Sequence, residues 1–250
     1  MSAATAPLTT VAPAIKHIGD WRLPENRWQG FDLFYHFMLA TRDWSPDINV
    51  EKWMADEHGF PFEQRCVMAL FHGATYAGPC ESMIATLFPV LKPQVIPDLI
   101  AFFEANKTRL LFSPDCKYRK MVFPKFLKSI GTSLSYYGTL GGLITSAWEG
   151  SDYERNYSNL QALCFRDWFH WGRMAHWCFS EALAHFVEAP MLPPTMEFAT
   201  GTSHRSGWAF ALGRDELTGD RNISLRDCQA LEREAACYVE QLHTVKSAFY

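Results

Sequence analysis

No stretch of the 250-residue chain approaches the ~18 consecutive apolar residues that a membrane-crossing helix needs. Several enzyme signatures are missing as well. There is no G-x-x-x-x-G-K-S/T phosphate loop, no G-x-G-x-x-G turn and no H-E-x-x-H metal helix. The seven cysteines (66, 80, 116, 164, 178, 228 and 237) contain no C-x-x-C pair. That argues against a zinc ribbon or a redox dithiol, and for reduced, mostly buried thiols. Strict apolar–polar alternation, internal repeats and low-complexity blocks are also lacking, which disfavours strand-rich and solenoid folds. The first residues, Met1 to Pro13, lack the charged start and apolar block of a signal peptide. Residues 1–20 are expected to be a flexible leader, and the protein to be soluble and cytoplasmic.

What is present is an uneven charge. The chain is acidic, with 23 basic and 27 acidic residues for a net −4. Yet Lys107 to Lys128 holds seven basic residues and one acidic one, Asp115, interleaved with Phe and Tyr. This window carries +6, so the remainder carries −10. Positive charge gathered in one place among aromatics suits a polyanion; a solvated loop between helices is the plainer alternative. Nine Trp residues help bring the aromatic content to 15%, which serves core packing or the stacking of bases.

Helical periodicity dominates, and the chain is expected to be mostly α, one multi-helix catalytic domain over residues 21–250. Expected helices cover Phe31–Ala40, Phe62–Phe71, Cys80–Phe88 and Leu99–Ala105, the last opened by Pro97-Asp98 and stopped by a left-handed Asn106. Further pieces are Pro124–Ile130 and Leu140–Trp148, then one long helix from about Asn159 to Val187. Ser224-Leu-Arg-Asp227 resembles a capping box opening a final helix that ends near Val245. Gly138-Thr-Leu-Gly-Gly142 has a faint look of the glycine hairpin in helix-hairpin-helix DNA glycosylases, although a simple Gly-rich turn fits it better.

Two concentrations of polar residues stand out. On the long helix, Arg166, His170, Arg173, Trp177 and Glu181 follow spacings of 4, 3, 4 and 4, which would place them on one stripe. Such a stripe is either an exposed salt-bridged face or a cleft wall in which Arg173 binds anionic oxygen. The second is Thr202-Ser-His-Arg-Ser-Gly-Trp208, a poor helix interior. It is either an anion-binding turn of N–H groups, hydroxyls and a guanidinium, or a polar cap on the next helix. His170 and His176 are six apart, on roughly opposite helix faces, and do not suit a shared metal.

Together these segments resemble the phage amino acid:DNA transferases, also called α-glutamyl/putrescinyl thymine pyrophosphorylases. The matching pieces run in order over residues 28 to 217. They are Trp28-Gln-Gly-Phe-Asp-Leu-Phe34, Gly73-Ala-Thr-Tyr-Ala-Gly-Pro79, and Asn106-Lys-Thr-Arg-Leu-Leu-Phe112 through Asp115 and Arg119-Lys120. Gly172-Arg-Met with Glu181 follows, then Ser203-His-Arg-Ser-Gly-Trp-Ala-Phe-Ala-Leu-Gly213. One departure is Ala77-Gly-Pro, where the family pattern has Cys-Val-Pro.

The resemblance implies a transferase that displaces pyrophosphate from 5-pyrophosphoryloxymethyl-uracil in phage DNA. The incoming group is an amino acid or polyamine, and the product is a hypermodified thymine. Pyrophosphate leaves readily once its growing charge is neutralised by cations in a partly dry cleft. Lys107, Arg109, Arg119, Lys120, Arg173 and Arg205 are the expected cations, with Ser203 and Ser206 beside them. Asp115 and His204 would take a proton from the nucleophile, and Glu181 would hold its amine or orient Arg173. Tyr76, Trp171 or Trp208 could stack on an extruded base. A Mg²⁺ ion would suit the pyrophosphate, although the sequence shows no dedicated carboxylate cage. The competing readings are a glycosylase-like base-excising enzyme and a non-catalytic helical DNA-binding protein.

Overall fold

The computed structural model describes residues 46–191 and residue 193, within a compact unit that runs from Asp43 to Pro194. Among the described residues there are eight α-helices, two short 3-10 turns and no strand. The helices are α1 (Pro46–Glu57), α2 (Phe62–Thr75), α3 (Gly78–Leu87), α4 (Ile96–Asn106), α5 (Lys117–Tyr137), α6 (Leu140–Ser146), α7 (Tyr153–Asp167) and α8 (Arg173–Phe186). The mostly α expectation holds. No helix among the described residues is long and apolar enough to cross a membrane.

The organising element is α2. Every residue from Cys66 to Thr75 is buried, the mark of a helix surrounded on all sides rather than laid on a surface. It packs most extensively on α8 and on α3, and α6 and α5 also reach it. The approach to α8 is close because of Gly73. A Cβ there would stand 2.5 Å from the Ala175 carbonyl oxygen and 2.8 Å from Phe179 Cβ. Beside this crossing lies an aromatic layer in which Phe103, Phe112 and Phe126 surround Phe123, and Trp171 stacks on Phe126 at 5.5 Å. Each fully buried large side chain contributes roughly 1.5–3 kcal/mol, so this layer is a principal source of stability.

Local chemistry sets the helix ends. Thr139 caps α6 by accepting from Gly142 N, and Asp152 caps α7 by accepting from Arg155 N. Glu63 ties α2 to the start of α6, accepting from Thr139 Oγ1 at 2.6 Å and from Gly141 N at 3.0 Å. All five described cysteines (66, 80, 116, 164 and 178) are free and buried, as expected of reduced thiols.

Four expectations need correction. Helix α1 was not expected at all. The long helix from Asn159 to Val187 is two helices, broken at Trp168–Gly172. Phe169 N donates to Ser129 Oγ, Trp168 Nε1 donates to Ser133 Oγ, and His170 sits in the left-handed region at φ 55°. Ser129 thus takes the backbone donor of Phe169 that helix continuation would use, and Ser133 anchors the Trp168 indole beside it. Asn106 is not a left-handed stop: α4 passes into a right-handed Lys107, and Asn106 Nδ2 donates back to Phe102 O. Finally, the piece expected from Pro124 begins seven residues earlier, so much of the basic window is itself the first half of α5. The expected helices at Phe31–Ala40 and after Ser224, and the 20/21 boundary, lie outside the described residues.

Candidate functional site

Three stretches distant in sequence meet at Arg119, in the first turn of α5. Its Nη1 donates to the carbonyls of Gly73 and Ala74, both at 2.9 Å, and its Nη2 stands 3.5 Å from the His170 carbonyl. The guanidinium lies over Trp171, 5.3 Å from the ring centre. The last turn of α2, the start of α5 and the turn before Arg173 are thereby pinned to one side chain. Burial pulls the Arg119 pKa below its ordinary value, the cost of enclosing a charge whose acceptors are neutral carbonyls.

The α2–α3 turn is the centre of this region. Tyr76 closes α2 in the left-handed conformation at φ 50°, an unfavourable state for a residue with a Cβ. It remains two-fifths exposed, with its ring edge-on to His72 at 5.1 Å. Ser113 N donates to Thr75 O at 2.9 Å, so the segment after the basic Asn106–Phe112 stretch docks on the same turn. Strain held at an exposed aromatic is a common signature of functional turns.

The expected cations that the structure describes divide into exposed side chains and inward-turned ones. Lys107 is exposed and paired with Glu104 at 3.1 Å, and Arg109 is exposed. Lys120 turns inward to donate to Leu110 O at 2.7 Å, its ammonium 5.4 Å from the Phe112 ring centre. Lys125 lies against Phe169, and Lys128 lines a shallow groove of Pro93, Ile96 and Gly131. Arg173 is the exposed first residue of α8, and Glu181 is half-buried on the same helix. The single stripe from Arg166 to Glu181 does not exist, because Arg166 lies in the last turn of α7 and pairs with Asp167 through two hydrogen bonds while His170 lies in the break. Trp171, expected as a base-stacking surface, is 6% exposed and already stacked on Phe126, so it serves the core. The Asp115 side chain, and all of Ser203, His204, Arg205, Ser206 and Trp208, lie outside the described residues.

Sequence reasoning missed a buried ionisable cluster directly beneath Tyr76. Glu51 of α1, His72 of α2 and Glu81 of α3 are all under 4% exposed. His72 Nδ1 is 3.0 Å from Glu81 Oε2 and 3.3 Å from Glu51 Oε2. Glu81 Oε1 also accepts from Ala77 N at 2.6 Å, which fixes the turn into α3. Burial would lower His72, but the two carboxylates outweigh it and hold the imidazole above its ordinary range. Burial, opposed in part by His72, pushes Glu51 well above the usual carboxylate range. Carboxylates 30 residues apart carry no spacing signal. The helix supplying Glu51 buries Ile48 and Ala55 but exposes Val50 and Trp53, so its apolar residues mark no single inward face.

A second buried histidine behaves oppositely. His176 is enclosed by Tyr157, Phe165 and Phe179, with Nε2 3.3 Å from Ser180 Oγ. Burial lowers its pKa to about 3, so it is a neutral packing group. The Cys178 thiol, two residues on, is pushed up to about 12 by burial and then by Glu181, which makes it a poor nucleophile.

No family profile matches the sequence, and no solved structure matches it. A protein called serinyltransferase from Salmonella phage ViI is 23% identical over 239 residues, covering 86% of this chain and 55% of that protein. The chain therefore spans about half the length of the curated relative it matches.

Proposed function

We propose that the protein is a DNA-modifying amino acid transferase that displaces pyrophosphate from 5-pyrophosphoryloxymethyl-uracil. The observation that carries this reading is the similarity to a phage serinyltransferase along most of the chain. The convergence of the Gly73–Pro79 turn, the basic segment and the Gly172-Arg173 turn on Arg119 supports it. In the reaction, an amine nitrogen or a serine hydroxyl oxygen attacks the methylene carbon on C5 of the pyrimidine. The carbon–oxygen bond to pyrophosphate breaks, pyrophosphate departs with the bonding pair, and the nucleophile gives its proton to a base, Asp115 or His204.

Roles divide by exposure. Lys107, Arg109 and Arg173 can reach phosphate oxygens from the surface, and Arg205, outside the described residues, is the further cation of this reading. Arg119 and Lys120, whose charges are committed to backbone carbonyls, hold the scaffold in shape. Tyr76 offers an exposed ring to an extruded base, and Glu181 receives the amine of the incoming amino acid or orients Arg173. Ser203 and Ser206 add hydroxyl donors, and a Mg²⁺ ion bound to the pyrophosphate would accompany the substrate.

The test is incubation with duplex DNA carrying the pyrophosphorylated base and a pool of amino acids, followed by nucleoside mass analysis. The expected product is an amino acid adduct with one pyrophosphate released per adduct, and Arg173→Ala should abolish it with circular dichroism unchanged. Free base and abasic sites, or no product from any amino acid or polyamine, would overturn the assignment.

A further inference from the structure

We propose that Glu51, His72 and Glu81 form a binding site for one divalent first-row transition cation, of the Mn²⁺, Fe²⁺ or Zn²⁺ class. The ligands would be one carboxylate oxygen from each glutamate and Nδ1 of the imidazole. This proposal stands apart from the transferase reading, and its test does not use turnover.

The geometry comes first. One potential ligand atom from each residue lies within 4.8 Å of the other two. Ligands about 2.1 Å from a common ion are separated by about 2.9–3.4 Å at octahedral or tetrahedral angles. The distances from His72 Nδ1, 3.0 Å to Glu81 and 3.3 Å to Glu51, fall in that interval. One nitrogen and two carboxylates suit Mn²⁺, Fe²⁺ or Zn²⁺ better than the all-oxygen preference of Mg²⁺ and Ca²⁺. Two carboxylate charges also match one dication.

The second observation is the state of Glu51. Its side chain is nearly fully enclosed, yet among the described residues neither carboxyl oxygen has a partner of hydrogen-bond geometry. His72 Nδ1 has one proton to give; it is closer to Glu81 at 3.0 Å than to Glu51 at 3.3 Å, so the imidazole cannot serve both carboxyl groups at once. An enclosed carboxyl group without a hydrogen-bond partner is costly, and metal coordination is one way such a group is satisfied. The pocket is also kept open for it: a Cβ on Gly78 would stand 2.7 Å from Glu51 Oε1. Three protein donors leave coordination positions for water or an anionic oxygen, the pattern of reactive rather than structural metal sites.

The experiment uses the full chain, stripped with chelator and dialysed, then titrated separately with Mn²⁺, Zn²⁺ and Mg²⁺ by calorimetry. One equivalent of Mn²⁺ or Zn²⁺ should bind, with Mg²⁺ much weaker. Glu51→Gln should weaken binding at least about a hundredfold, more than loss of an outer-shell partner does. Gly78→Ala removes no donor but crowds Glu51, and should weaken binding about tenfold or more, while the exposed Glu57→Gln leaves it unchanged. If Glu51→Gln does not fold, bound Mn²⁺ should still broaden the wild-type amide signals around residues 51, 72 and 81. Co²⁺ should give visible bands without the near-ultraviolet absorption of a thiolate ligand. No stoichiometric binding, equal binding by Glu51→Gln, or an ion lost on thiol alkylation would each overturn the proposal.

Discussion

His176 makes the sharpest physical prediction, because it is a wholly enclosed imidazole with no charged partner among the described residues to complicate its titration. Its folded pKa lies at about 3, against 6.5 for the free side chain. In the folded state it stays neutral at pH 5, whereas in the unfolded chain it takes up a proton once pH falls below 6.5. The unfolded state therefore binds more protons between pH 6.5 and 3, and stability is lost as pH falls through that window. From the two pKa values the loss between pH 7.5 and 5.0 is about 2 kcal/mol, rising to about 4–5 kcal/mol below pH 3. A loss of that size lowers the melting temperature by about 4–8 °C at pH 5 for a domain of this length. Urea unfolding at constant ionic strength measures it directly. His176→Gln keeps a hydrogen-bonding group near Ser180 and removes the titration, so its stability should vary with pH by about 2 kcal/mol less. Acidic groups such as Asp56 cancel in the difference between the two proteins. Parallel pH profiles, or an imidazole signal titrating near 6.5 in folded protein, would refute the reasoning.

Gly73→Ala should destabilise the protein by about 3 kcal/mol or more in urea unfolding, because the new methyl meets backbone of α8 rather than a side chain that can move. Glu63→Ala should cost about 1–2 kcal/mol, since it frees two donors at the start of α6, and a thermal melt will register it. If the basic segment holds DNA, Lys107→Ala and Arg109→Ala should each weaken binding at every sequence. Each should also reduce the slope of log affinity against log salt by about one, read by fluorescence anisotropy across a salt series.

How far the site can be read from sequence depends on whether its contacts are local. The apolar run of α2, the proline at the start of α4 and the Gly73–Pro79 motif are local features, and each appears in the structure at or near its expected place. Arg119 and Lys120 were legible as cations, but their direction was not. Both point inward because carbonyls at the end of α2 and at Leu110, remote or looped back, await donors there. The break between α7 and α8 has a visible sign in Gly172. Its cause is the pair of serines on α5 some 35–40 residues earlier, which no window along the chain can weigh.

Composition and periodicity alone determined that the described chain is helical, that its thiols are buried and free, and that its positive charge clusters before and along α5. Those properties follow from side-chain chemistry repeated every three or four residues. Only the tertiary structure decided that Glu51 and Glu81 close on His72, because α1 and α3 meet across the end of α2. A single glutamate on a short charged helix looks solvated in sequence. It becomes an enclosed carboxyl group only when a second helix and a glycine make room for it.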